Sequence, residues 1–297
     1  MYNIENGFPI DRDSITYPLT WFRISQDHAP GPCHKLPPIE YGSEDITTLP
    51  NGIAIISSSL YGPPHSNLYS FDFNAPDKKV KEITIVGNFK KTDLYPHGIY
   101  VWIDKKSGNV TLFLVNHAPG IEAVVVFDYD QNENTLYHKK TITDPLFTSL
   151  NDVVAVGPDT FYATNFLTFG YKYILLEKIL QLPFANVVFY DGKKSSVVAS
   201  GLSGANGINV SPDQRTIYVS TSFSQQLHVY SRKEDSSLEA VKVLHVQFDQ
   251  DWNATIREVY ADNGNNFKGS SVASFYGDQM LVGSITGNLL HCHVYAF

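Results

Sequence analysis

Leu150-Asn151-Asp152-Val153-Val154-Ala155-Val156-Gly157-Pro158 sets an amide and a carboxylate side by side, directly before a run of β-branched residues. The run reads as a buried strand closed by a Gly-Pro turn. Burying an amide without a partner costs roughly 2–7 kcal/mol, and burying a charge costs more. Side chains of an extended segment alternate in direction, so Asn151 and Asp152 would serve two different points in space. A turn whose Asn and Asp bond local backbone is the plainer alternative. Against it stands repetition. Glu44-Asp45 precede Ile46-Thr47-Thr48-Leu49, and Asn206-Gly207 lead into Ile208-Asn209-Val210.

Working outward, the same turn-and-strand unit recurs along the chain. Leu49-Pro50-Asn51-Gly52 runs into Ile53–Ser58, and Tyr95-Pro96-His97-Gly98 runs into Ile99–Trp102 and then, after a turn at 105–109, Val110–Val115. Leu150–Gly157 is followed by Phe161–Asn165, Ala205–Val210 by Thr216–Ser220, and Gly269–Phe275 by Gln279–Gly283. The intervals suit a four-stranded blade with its loop, about 40–50 residues. An all-β fold of the β-propeller kind is therefore predicted, with an innermost strand of each blade around a central channel. Five complete blades are visible. Residues 1–40 are rich in Pro, Asp and His without a period and read as an N-terminal arm lying on the body; residues 41–297 read as one propeller domain. The apolar stretch near 166–182 breaks the pattern and reads as a helical insertion in the third unit, either packed on the core or turned outward as a lid or lipid-facing helix.

Composition narrows the partners. The formal net charge of −8, with no basic patch carrying interleaved aromatics, argues against nucleic acid and suits a hard cation. Only two cysteines occur, Cys33 and Cys292, near opposite ends. They are two independent thiols or a clasp between the first and last segments, and spacing alone leaves both open. No apolar run is long enough to cross a membrane as a helix, and the opening residues lack the regions of a signal peptide, so the protein is cytosolic or the numbering starts inside a longer chain. Asn109-Val110-Thr111 and Asn253-Ala254-Thr255 match the glycosylation acceptor pattern.

Calcium takes six to eight oxygens from carboxylates, amides, carbonyls and water. Glu44, Asn151 and Asn206 could offer three from separate blades, while alternation sends Asp45 and Asp152 to a second position; two ions along one channel follow. His97 stands before a Gly as Asn206 does, and His117 ends the next strand. Such a pair could relay a proton and activate water beside a cation, although a histidine in a turn is more commonly structural. Zinc has no HxxxH or CxxC spacing to support it, and Gly201-Leu202-Ser203-Gly204 is not a nucleophile elbow.

Gly42-Ser43-Glu44-Asp45, Leu49-Pro50-Asn51-Gly52, Pro96-His97-Gly98-Ile99, Val115-Asn116-His117, Leu150 to Pro158, Phe161 to Asn165, Ala205 to Asp213 and Gly269 to Ser274 together resemble the paraoxonase/arylesterase family, in order and over most of residues 33–297. The resemblance implies a six-bladed propeller with two calcium ions in its channel that hydrolyses aryl esters and lactones. By matching position it makes Glu44, Asn151 and Asn206 ligands of the catalytic calcium. Asp45, Asp152 and the carbonyl of Ile99 become ligands of the structural one. His97 resembles the general base, His117 its partner, and Cys33 and Cys292 the ring-closing disulfide. It further implies an extracellular or membrane-associated protein, an ester or lactone substrate, and a lipid or lipoprotein surface at the 166–182 insertion.

Several departures stand out. Only His245 to Glu258 separates Leu244 from Val259-Tyr260-Ala261-Asp262-Asn263-Gly264, where the family carries another blade. That blade brings an adjacent Asp-Asn pair to the catalytic calcium. Phe166 and Leu167 replace an acidic residue and a histidine, and the hydrophobic N-terminal anchor is not visible. Two readings follow: a calcium-dependent arylesterase/lactonase, or a catalytically impaired propeller serving as a lipid-associated or protein-binding scaffold.

Overall fold

The structure, a computed structural model, describes residues 29, 31–60, 62–75, 79–245 and 270–294. Short strands rich in Val, Ile, Phe and Tyr pair antiparallel with near neighbours in five separate sheets, which form a five-blade propeller. The first blade runs outward from Asp45–Thr48 through Ile53–Ser58 and Asn67–Asp72 to Lys81–Glu82. The second runs from Pro96–Ile103 through Val110–Asn116, Ala123–Asp130 and Thr135–Ile142, with Thr84–Val86 added in parallel at the outer edge. The third comprises Leu150–Ala155, Phe161–Asn165, Ala185–Tyr190 and Ser195–Leu202; the fourth, Ala205–Val210, Thr216–Thr221, Gln226–Arg232 and Leu238–His245.

The last blade is made from both ends of the described chain. Ser270–Tyr276, Gln279–Ser284 and Leu289–His293 are joined at the rim by Cys33–Leu36, in register Cys33 to Cys292 and Leu36 to Leu289. A disulfide links Cys33 and Cys292 across that pair. Cys33–Leu36 falls inside the 1–40 stretch expected to be an arm, and here it is a strand of the propeller. Its pairing is non-local, and four residues hold no period to announce it. Residues 1–28 lie outside the described residues, as do Asn253 and the Asp262-Asn263 pair.

Alternation along each strand sends apolar side chains to both blade faces, and a core fills the gap between successive blades from the closing blade round to the fourth. Leu36, Leu281 and Leu289 meet Ile46, Ile56 and Phe71 between the closing and first blades. Ile55 and Leu68 meet Leu112, Leu114 and Phe127 between the first and second. Phe113 and Val126 meet Leu150, Val153 and Phe161 between the second and third, and Val154, Tyr162 and Val187 meet Ile208, Ile217 and Val219 between the third and fourth. Among the described residues no such core joins the fourth blade to the closing one. Tyr218, between the core residues Ile217 and Val219, and Phe275 stay 37% and 50% exposed. Five closed blades and a gapped ring are both compatible with the sequence, and among the described residues these two blades do not pack on each other through an apolar core.

One register differs from the sequence reading. Pro50-Asn51-Gly52 resembles Pro96-His97-Gly98, which suggests that Ile53–Ser58 is innermost. The innermost strand of the first blade is instead Asp45–Thr48, and Gly52, at φ 86°, turns it into Ile53–Ser58. The insertion is helical over a shorter range than 166–182: a single 3-10 turn at Tyr171–Tyr173 leads into an α-helix at Ile174–Leu180.

Candidate active site

The innermost strands deliver their first residues to one end of the axis. Glu44, Asp45, Ile99, Asn151, Asp152 and Asn206 all line a single cavity of about 500 Å³. Gly98 is required by this convergence. A Cβ there would lie 2.4 Å from Oδ1 of Asp152 and 2.7 Å from the carbonyl oxygen of Asn151, so only a residue without a side chain lets the two blades approach so closely.

Asp45 and Asp152 occupy equivalent places. Oδ1 of each accepts the next amide in its own strand, Ile46 N–H at 2.8 Å and Val153 N–H at 2.7 Å. Oδ2 of each accepts from the following blade at the amide after a glycine: Ile99 N–H at 2.7 Å for Asp45 and Ile208 N–H at 2.8 Å for Asp152. Burial, followed by the neighbouring Glu44 carboxylate, pushes Asp45 up to about 7. Burial, followed by the charge of Asp45, pushes Asp152 well above the usual carboxylate range. No Lys or Arg lines the cavity to compensate these acids.

That imbalance, with carboxylate, amide and backbone oxygens on the same wall, is the donor chemistry of a hard divalent cation. Among the described residues no three His, Cys, Asp or Glu side chains converge closely enough to enclose a metal alone. The amide oxygens of Asn151 and Asn206 and the backbone would have to complete the set.

The histidines meet as the sequence suggests. Nδ1 of His97 lies 2.8 Å from Nε2 of His117. Nε2 of His97 lies 3.3 Å from Oε1 of Glu44 and 3.2 Å from the side-chain nitrogen of Asn151. His97 is 5% exposed. Burial would lower its pKa, but the charge and hydrogen bond of Glu44, then the charges of Asp45 and Glu122, outweigh it and leave His97 raised.

Sequence reasoning missed Glu122. Both its carboxylate oxygens lie 3.0 Å from Nδ1 of His117, and Oε2 also accepts the backbone N–H of Leu150 at 2.9 Å. The available signal was slight: Glu122 is the sole acidic residue between Asn116 and Phe127.

The insertion lies over this end. Tyr171 stays 56% exposed, yet partial burial of its phenol, then the charges of Glu122 and Glu44, push it up. The helix is inverted in polarity. Its one buried residue is Glu177, which accepts the amides of Phe169 at 2.7 Å and Thr168 at 3.2 Å. Leu175, Leu176, Ile179 and Leu180 point outward instead. Asn109 sits in an exposed turn between the first two strands of the second blade.

A propeller that gathers a histidine pair and uncompensated acids from separate blades at one end of its axis has the layout of a hydrolytic enzyme. The chain belongs to the arylesterase family, whose sequence profile matches residues 26–252 and 243–294. Serum paraoxonase/arylesterase 2 of Gallus gallus is 36% identical over 315 aligned positions, covering 88% of each chain. The Homo sapiens protein of the same name is 35% identical over 320 positions, with the same coverage, and serum paraoxonase/lactonase 3 of Rattus norvegicus is 32% identical over 317, covering 89% of each. These alignments are longer than the 297 residues present here, so the relatives carry residues with no counterpart in this chain. A crystal structure of regucalcin from Agrobacterium tumefaciens, described as a calcium-binding protein, shares the fold at a TM-score of 0.55 and 14% identity, covering 91% of this chain and 96% of that one.

Proposed function

We propose that this protein is a calcium-dependent hydrolase of aryl esters and lactones, with His97 as the base that activates water and His117 as its relay. The observation that carries the reading is the contact of Nε2 of His97 with Glu44 and Asn151, which puts a base against two candidate cation ligands. Membership of a family whose relatives are named arylesterases and lactonases supports the substrate class.

Glu44, Asn151 and Asn206 would hold one ion, and Asp45, Asp152 and the carbonyl of Ile99 a second. A bound calcium supplies positive charge that polarises an ester carbonyl. His97 takes a proton from water at Nε2, and the hydroxide so formed adds to the carbonyl carbon. The proton-bearing imidazole is steadied by Glu44 on one side and His117 on the other.

The inverted helix supports a lipid-facing role. A helix that buries its Glu and exposes four aliphatic residues is suited to an apolar surface rather than bulk water. With the Cys33–Cys292 bridge, this favours an oxidising, extracellular or membrane-surface setting. Asn109 is placed where a glycan could be attached.

The short connection from His245 to Glu258, where the family carries a further blade, supports the second reading, an impaired propeller that acts as a scaffold. Losing the ligands of one blade lowers the affinity of an ion held by few others. Hydrolysis of phenyl acetate and a δ-lactone, with calcium and with a chelator, decides between them. Calcium-dependent turnover is expected. Turnover that survives the chelator would remove calcium from the mechanism, and none at any calcium concentration would favour the scaffold.

A further inference from the structure

The wall behind the histidine pair contains a group that the proposed reaction has not used. We infer that Glu122 is a positioning residue, the carboxylate end of a His97–His117–Glu122 hydrogen-bond chain that fixes both imidazole tautomers and leaves the lone pair of His97 on Nε2, beside the cavity-lining Glu44 and Asn151. This rests on the reading of His97 as the base.

The chain of hydrogen bonds has a single consistent direction. An ionised carboxylate offers only acceptors. Oε1 and Oε2 of Glu122 both stand 3.0 Å from Nδ1 of His117, so the proton of that imidazole is on Nδ1. Its Nε2 then carries a lone pair, and Nδ1 of His97 faces that lone pair at 2.8 Å. The proton of His97 is therefore on Nδ1, and Nε2 is left as the basic atom. There the side-chain nitrogen of Asn151, at 3.2 Å, can donate to it. Glu44 Oε1, at 3.3 Å, becomes a hydrogen-bond partner once Nε2 has taken a proton.

The backbone holds Glu122 in place. Oε2 accepts Leu150 N–H at 2.9 Å, on the strand that next delivers Asn151 to the cavity. One carboxylate thus ties the relay in the second blade to the inner strand of the third. The step balances: water loses a proton to His97 Nε2 and its hydroxide adds to the carbonyl carbon. The tetrahedral adduct collapses with cleavage of the acyl C–O bond, and the departing phenoxide or alkoxide receives the proton from His97 Nε2. The proton on His117 Nδ1 stays against Glu122 throughout.

Glu122→Gln tests this. The amide oxygen can keep Leu150 N–H, which turns the NH2 group toward His117 Nδ1. With one oxygen left for both Leu150 N–H and His117 Nδ1–H, and an NH2 group facing the imidazole, the Nδ1–H tautomers lose their anchor. With phenyl acetate, kcat is expected to fall about 100-fold or more, with KM within about twofold of wild type and calcium binding unchanged. Glu122→Asp, still an acceptor only, should recover part of the loss. Unchanged kcat in Glu122→Gln would overturn the inference. His97→Gln runs beside it: a harmless His97→Gln defeats the wider reading of the base, whereas a damaging one with a harmless Glu122→Gln defeats only the role of Glu122. A second measurement is independent of variant folding. In 15N-labelled wild-type protein, at a pH high enough to leave both imidazoles neutral, His97 and His117 should both show the Nδ1–H tautomer, and a proton on Nε2 of neutral His117 would overturn the assignment.

Discussion

Nε2 of His97 stands 3.3 Å from Oε1 of Glu44, so the proposed base and a proposed calcium ligand touch across a blade boundary. Base strength and cation binding are then coupled through one carboxylate. Glu44→Gln removes the charge while keeping the shape. It should raise the calcium concentration needed for half-maximal turnover and lower kcat by more than about tenfold, within the range a general base contributes. Turnover followed through a calcium titration measures both. A variant with the wild-type calcium midpoint would separate Glu44 from the metal.

The buried pair Asp45 and Asp152 predicts how the metal-free protein responds to pH. Asp45 titrates near 7 in the fold against an ordinary 3.8, so between those values the native state keeps a proton that the unfolded chain has lost. Stability then falls as pH rises through that interval, because the native state binds more protons. Calcium should reverse the trend by replacing the proton with a cation, and binding should release protons. Melting temperatures from pH 5 to 8, with a chelator and with calcium, test the slope. A metal-free protein whose melting temperature climbs steadily from pH 5 to 8 would contradict it.

Much of this site was legible in the sequence because strands announce themselves locally. The oxygen-bearing side chains just before Ile46, Val153 and Ile208 stand beside β-branched runs, and alternation alone separates Asn151 from Asp152. His97 and His117 also come from one hairpin, so their meeting needs only local register. What stayed hidden depends on non-local partners. Glu122 reaches Leu150 through a backbone amide of another blade, which leaves no side-chain signature. Cys33–Leu36 pairs with the last strand described, and the spacing of two cysteines cannot show that. Gly52 misled for the opposite reason: a Pro-Asn-Gly turn looks the same whether it enters an inner strand or leaves one.

A different acid response is expected at the rim. His291 is fully buried; its Nε2 lies 2.8 Å from Oε1 of Gln279, whose amide nitrogen donates to the carbonyl of Phe73 at 3.0 Å. Burial, then the charges of His34 and His293, push it down to about 4. A histidine depressed below its unfolded value adds stability above that value and loses it as pH falls through the folded one. The protein should therefore weaken between about pH 6.5 and 4, by on the order of 2–3 kcal/mol. His291→Gln, which cannot titrate, should lose less stability over that interval even if it starts lower. Urea denaturation at pH 7 and pH 4.5 makes the comparison, and equal losses in both proteins would exclude His291 as the cause.

The inverted helix makes the last prediction. Leu175 is 66% and Ile179 69% exposed, one turn apart on the outward face. Leaving such side chains in water forgoes roughly 1.5–3 kcal/mol each relative to an apolar medium. Glu177 meanwhile holds the underside by accepting the amides of Thr168 and Phe169, so the helix keeps its place without burying that face. Leu175→Ser with Ile179→Ser should therefore reduce partition onto phosphatidylcholine vesicles by at least about tenfold. Turnover of a water-soluble ester and the melting temperature should stay close to wild type. Vesicle co-sedimentation measures the first and a plate assay the second. Undiminished vesicle binding would show that this face does not meet lipid, whereas loss of soluble-ester turnover in the same variant would instead make the helix part of the catalytic mouth.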